Sequence, residues 1–147
     1  MTNKNNADIL NNVLESLIDS ADGYEKAADL AERSLFKEFF TRRAASRRGM
    51  VTAIRDEISQ LGGKPETDGT ILANAHRVFM NLRTMVQDND EAVIEAVENG
   101  EDYLRRKFDG ALSNDDLTAS TKSLLRNFQG ELKADGRLID HLEDTTS

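Results

Sequence analysis

The chain has no cysteine and no tryptophan, one proline (Pro65) and two histidines among 147 residues. Without cysteine there is no disulfide, no thiolate metal site and no cysteine nucleophile. With a single proline and no alternating run of β-branched residues, strands have almost no support. No stretch approaches the ~18 apolar residues of a membrane span, and Met1 to Asn6 is polar, lacking the apolar centre of a signal peptide. The cytoplasm is therefore the expected location. Positive charge is also scarce: 19 Lys and Arg stand against 27 Asp and Glu, a net charge of -8. That balance opposes condensation on nucleic acid or an anionic membrane, where affinity comes from neutralised phosphates. No glycine-rich phosphate loop is present, and the two histidines give no recognisable Ser-His-Asp spacing.

What is present is helical patterning. Apolar residues make up 38% and charged residues 31%, too apolar and too regular for a disordered chain. A first helix is expected from after Asn6 to about Glu32, with Leu10, Leu14, Leu17, Ala21, Tyr24, Ala28 and Ala31 on one stripe. After a break near Ser34, read as an N-cap, a second helix carries Phe36, Phe40, Arg43, Arg47, Met50, Ile54 and Leu61. It stops at Gly62-Gly63-Lys64-Pro65. A shorter helix over Ile71 to Gln87, with Val78, Leu82 and Met85 on one face, fills a connector at about 64–89. The third long helix opens at Asp88 to Asp90, where Asp88 and Glu91 have capping-box spacing, and carries Ile94, Val97, Leu104, Phe108 and Ala111. Ser113, Asn114 and Asp115 break and recap it. The last helix uses Leu117, Leu124, Phe128, Leu132, Ile139 and Leu142, before a frayed tail at 144–147. The expected architecture is all-α, a single domain over 1–147: a four-helix bundle in up-down-down-up order with one helical crossover, as ferritin-like folds have.

Gly23, Gly49, Gly100, Gly130 and Gly136 fall inside these helices, each costing about 1 kcal/mol relative to alanine. Close helix approach is the simplest reason for them. Ile9, Val13, Phe39 and Val93 fall outside the seams, which a monomer would expose, so a homo-oligomer is expected.

Several charges fall on or beside inward faces: Asp22, Glu25, Arg43, Arg47, Glu101, Asp102, Glu131 and Asp135. Charges in a core must be paired or bound to metal. One reading is a structural ion-pair network of Asp22, Glu25, Arg43, Arg47 and Glu101, with no catalytic residue and no cofactor. The alternative is a divergent carboxylate site for iron or another divalent metal, supporting oxidation chemistry, built from Asp22 or Glu25, Glu101, and Glu131 or Asp135. Di-iron bundles combine inward glutamates with two Glu-x-x-His elements. Here Ala73 stands three residues before His76 and Leu138 three before His141, and the inward positions of the second helix are arginines, whose fixed charge repels a cation. The ion-pair reading is the stronger. The cluster Arg42, Arg43, Arg47 and Arg48 faces a first helix rich in Asp19, Asp22, Glu25, Asp29 and Glu32, so neutralisation within the first hairpin is expected rather than a nucleic-acid patch. His76 reads as a surface or capping residue, and His141 lies near the frayed C-terminus with no functional group beside it in the pattern. A third reading makes the connector helix, with Arg77 and Arg83, a docking surface for an unidentified protein partner.

Four segments together carry a family likeness: Asp22-Gly23-Tyr24, Leu61-Gly62-Gly63 with Pro65, His76-Arg77-Val78-Phe79-Met80-Asn81-Leu82-Arg83, and Glu98-Asn99-Gly100-Glu101-Asp102. The chain resembles, over nearly its whole length, a bacterial four-helix-bundle family of unknown function classed with the ferritin-like proteins. The resemblance implies a ferritin-like bundle and a place among stress-associated bacterial proteins. It does not imply iron storage, since both Glu-x-x-His elements are missing, and Gly136 stands where relatives of that family often carry a histidine. The function expected is that of a non-enzymatic, self-associating structural or interaction protein.

Overall fold

The leucine and alanine stripe at alternating spacings of three and four winds the first segment into a helix that buries one face. The computed structural model describes residues 2–67 and 89–146. Among them are four helices and no strand: α1 (Thr2–Leu30), α2 (Ser34–Gln60), α3 (Asn89–Leu112) and α4 (Ala119–Thr146). At 1.5 Å per residue they run about 36 to 44 Å, so their lengths match. None is long and apolar enough to cross a membrane.

The core is built in two tiers. One joins Leu10, Leu14 and Leu17 of α1 to Ile54 and Ile58 of α2, Leu104 and Phe108 of α3, and Leu125 and Leu132 of α4. The other joins Tyr24 and Ala27 of α1 to Phe36 and Phe40 of α2, Ile94 of α3 and Ile139 of α4. The start of α1 therefore lies level with the ends of α2 and α3 and the start of α4. The order is up-down-down-up, as expected. The end of α2 and the start of α3 lie at opposite ends of the bundle. From 68 to 88 the connecting chain falls outside the described residues, and with it the expected Ile71–Gln87 helix, Asp88, His76, Arg77 and Arg83.

The turns follow from particular side chains. α2 ends in a Schellman arrangement: Gly62, at φ 82°, takes the left-handed conformation, its N–H reaching Ser59 O at 3.0 Å while Gly63 N–H reaches Ile58 O at 2.9 Å. A Cβ on Gly63 would lie 2.6 Å from Ala7 Cβ, so the α1–α2 packing itself requires glycine there. The amide of Asn11 then holds the outgoing chain, donating to Lys64 O at 3.0 Å and accepting from Glu66 N–H at 2.9 Å. At the α3–α4 turn, the buried amide of Asn6 donates to Asp116 O and accepts from Thr118 N–H.

Several expectations are corrected. Ser34 is the first residue of α2 rather than its cap; Arg33 holds the cap position without a side-chain bond. The N–H groups of Glu32 and Arg33 are taken instead by the carboxylate of Asp90, at 2.6 and 3.2 Å, from the start of α3. Thr118, rather than the Ser113-Asn114-Asp115 stretch, caps α4, its hydroxyl accepting from Thr121 N–H at 3.2 Å. Val13 and Val93 are fully buried, and Ile9 and Phe39 pack partly buried against the two tiers, so these four are not surface left over. Among the described residues, Leu35 and Leu138 are the large apolar side chains that stand exposed. Close helix approach does not explain Gly49, Gly100 or Gly130, since a Cβ on any of them meets nothing within 4 Å.

Candidate functional site

Between the two apolar tiers, each helix presents a polar side chain inward. Arg47 is the centre of this layer and is 0% exposed. Its Nη2 donates to Glu101 Oε1 at 2.7 Å and to Asp135 Oδ2 at 3.0 Å. The Tyr24 hydroxyl donates to the same Glu101 Oε1 at 2.8 Å, and the Arg47 guanidinium lies 5.4 Å from the Tyr24 ring centroid. Arg43, one turn back along α2, donates from Nη1 to Asp135 Oδ1 and stacks near the Phe39 ring. Two arginines from α2 are thus balanced by one carboxylate from α3 and one from α4.

The electrostatics follow from burial. Desolvation raises the Glu101 carboxyl above its ordinary range, outweighing the attraction of Arg47 and the Tyr24 hydrogen bond, with the charge of Asp135 pushing the same way. Tyr24 is held well above the usual phenol range, chiefly by burial and then by the adjacent Glu101 charge. Nε and Nη1 of Arg47, Nε of Arg43 and Oε2 of Glu101 are buried with no hydrogen-bond partner among the described residues.

The candidate residues read from sequence divide into two groups. Arg43, Arg47 and Glu101 meet in the layer, and Asp135, considered only as a metal ligand, joins them as an ion-pair partner. Asp22 and Glu25 do not reach that layer; they pair with Arg48 at 2.6 and 2.9 Å, nearer the surface. Neutralisation within the first hairpin therefore holds for Arg48, while Arg43 and Arg47 are neutralised by the second hairpin and Arg42 pairs with Glu38 of its own helix. Glu131 is exposed, as is His141. Asp102 is also exposed and pairs with Arg105, whose Nη1 would lie 2.5 Å from a Cβ on Gly136. The role of Tyr24 was missed because an aromatic residue on an apolar stripe reads as core, and its partner Glu101 is 77 residues away.

The donor set does not fit a metal centre. The two inward carboxylates are already bonded to guanidinium groups, and among the described residues no group of three or more His, Asp or Glu is placed to hold an ion. A second feature is a groove of about 340 Å³ between α2 and α4, lined by Asp56, Glu57, Gln60, Ser120, Ser123 and Asn127 among others. The Ser120 hydroxyl bonds the Glu57 carboxylate across it, 3.1 and 3.0 Å from the two oxygens.

Among curated proteins none matches the chain. Solved structures do. A protein of Bacillus anthracis str. Ames described as a ferritin-like, diiron-carboxylate protein is 15% identical, with a TM-score of 0.76 over 97% of this chain and 98% of that one. A point mutant of Dps1 from Mycobacterium smegmatis is 18% identical with a TM-score of 0.78, covering 97% of both chains. An N-terminal deletion mutant of Dps from the same organism is 17% identical with a TM-score of 0.77, again over 97% of both. At these identities the likeness is one of fold, and the fold is ferritin-like. Residues 5–114 match the family described as Domain of unknown function (DUF2383), and the chain belongs to that family.

Proposed function

We propose that the chain is a non-enzymatic ferritin-like bundle acting as a structural or interaction protein, with its central charges committed to holding helix register. The observation that carries this reading is the single Arg47 nitrogen shared by Glu101 and Asp135. A fixed cation from α2 sits between the carboxylates of α3 and α4, the groups a metal would have to recruit. One similar structure is described as a diiron-carboxylate protein; for this chain to act likewise, both carboxylates would have to leave Arg47 in a medium that penalises the separation. A buried, shared pair of this kind suits a part whose value lies in its shape.

Self-association belongs to the same proposal. Its support is now the exposed pair Leu35 and Leu138, 64% and 47% exposed, rather than the four residues read from sequence. A cytoplasmic location and a role in stress are proposed with it, from the family resemblance.

Elemental analysis of protein purified without chelators, followed by anaerobic ferrous titration, tests the first part. No saturable binding is expected. Stoichiometric metal that is lost in Glu101→Gln would overturn the scaffold reading in favour of a divergent carboxylate metal protein. Sedimentation equilibrium over a concentration series tests the second; a monomer throughout would remove self-association.

A further inference from the structure

Three observations meet at one level of the bundle. The apolar core is split there, one tier on either side of the charged layer. The layer's own hydrogen bonding is incomplete: Arg47 Nε and Nη1, Arg43 Nε and Glu101 Oε2 are buried without a partner among the described residues. Each helix also carries a glycine within two residues of its contribution to the layer: Gly23 beside Tyr24, Gly49 after Arg47, Gly100 beside Glu101 and Gly136 beside Asp135. Gly136 lies under the Arg105 guanidinium, but Gly49 and Gly100 are exposed with open space where a Cβ would be. Packing does not demand glycine at either position.

Buried N–H donors in native proteins find acceptors, and where the protein offers none, ordered water does so. The chemistry of the layer selects that ligand. Arg43 and Arg47 are matched in charge by Glu101 and Asp135, so an added ion would leave net charge in a poorly solvated interior. The group that fits must be small and neutral, able to accept from a guanidinium N–H and donate to a carboxylate oxygen. We propose that the layer is an internal binding site for water, exchanging with bulk solvent through transient opening of the helices at the surrounding glycines. Glycine weakens helix interiors, and four of the six glycines in the described helices flank this level, one from each helix, while Gly110 and Gly130 lie apart from it. The apolar tiers above and below stay closed.

Hydrogen exchange of the full chain under native conditions, read amide by amide by NMR, tests the route. Amides of 24–25, 49–51, 100–102 and 135–137 should exchange about tenfold or more faster than those of 10–17, 54–58, 104–107 and 125–128. Oxygen-17 relaxation dispersion of the solvent tests the ligand, and at least one long-lived internal water per chain is expected. In a Gly49→Ala, Gly100→Ala variant, where the new methyl groups meet nothing, the residence time of that water should lengthen about fivefold. Layer amides protected as strongly as the tier amides would overturn the route, and so would a uniform slowing of every amide in the variant. Absence of a long-lived water in the wild-type chain would overturn the site itself.

Discussion

One nitrogen of Arg47 bonds both Glu101 and Asp135, at 2.7 and 3.0 Å, so a single α2 side chain holds α3 and α4 at fixed heights. Removing it leaves two buried carboxylates with half their compensation. Arg47→Ala should destabilise the fold by about 3 to 5 kcal/mol, measured by urea denaturation. A loss below about 1 kcal/mol, the range of surface pairs, would mean the layer is solvated well enough to do without it.

The raised carboxyl of Glu101 gives a pH dependence of unusual sign. Its folded pKa lies above the unfolded one, so its contribution is fully present below the unfolded pKa and is lost as pH rises through the folded pKa. The stability difference between the wild-type chain and Glu101→Gln should therefore shift in favour of the wild type as pH falls from neutrality toward the carboxylate range. Denaturation of both proteins at a series of pH values measures it. A shift in the opposite direction would mean that Arg47 outweighs desolvation.

Tyr24 gives an optical handle on the same layer. Its phenol is held well above the usual range by burial and by Glu101, so in an alkaline absorbance titration it should ionise only as the chain unfolds. Tyr24→Phe should lose that late phase and about 1 to 3 kcal/mol of stability, since Glu101 loses a buried donor.

The two glycines at the end of α2 should respond to alanine for different reasons. Gly63→Ala forces a methyl group to within 2.6 Å of Ala7 Cβ and should cost about 1 to 3 kcal/mol through overpacking. Gly62→Ala has open space but a φ of 82°, and should cost about 1 to 2 kcal/mol from backbone conformation alone. Ala7→Gly in the Gly63→Ala background should recover part of the first loss and none of the second.

The stripes of the four long helices were legible in sequence because burial imposes a period of 3.6 on a helix. Arg47 and Glu101 were legible for the same reason, as charges on those stripes. What escaped depended on contacts between distant segments. Asp90 caps a turn 57 residues away at Arg33, and Asn6 braces a turn 112 residues away at Thr118; neither has a local signature. The pairing of charges escaped in part: Glu101 was among the expected partners of Arg47, but Asp135 in place of Asp22 and Glu25 was not, because helical phase tells which residues face inward but not which guanidinium stands at which height. Arg47 and Arg48 are adjacent in sequence, yet one is locked into the layer and the other reaches sideways to Asp22 and Glu25. The leftover apolar positions Val13 and Val93 were misread because a seam narrower than the buried face was assumed.

Both apolar tiers recruit side chains from all four helices, one from residues 7 to 132 and the other from 24 to 142. Neither is encoded in a contiguous stretch. A ribosome-bound chain that has emerged only through α3 lacks part of each tier. Neither tier is complete before the last helix, and until then the faces of Leu14, Ile54 and Phe40 lack the α4 side chains that close over them in the finished bundle.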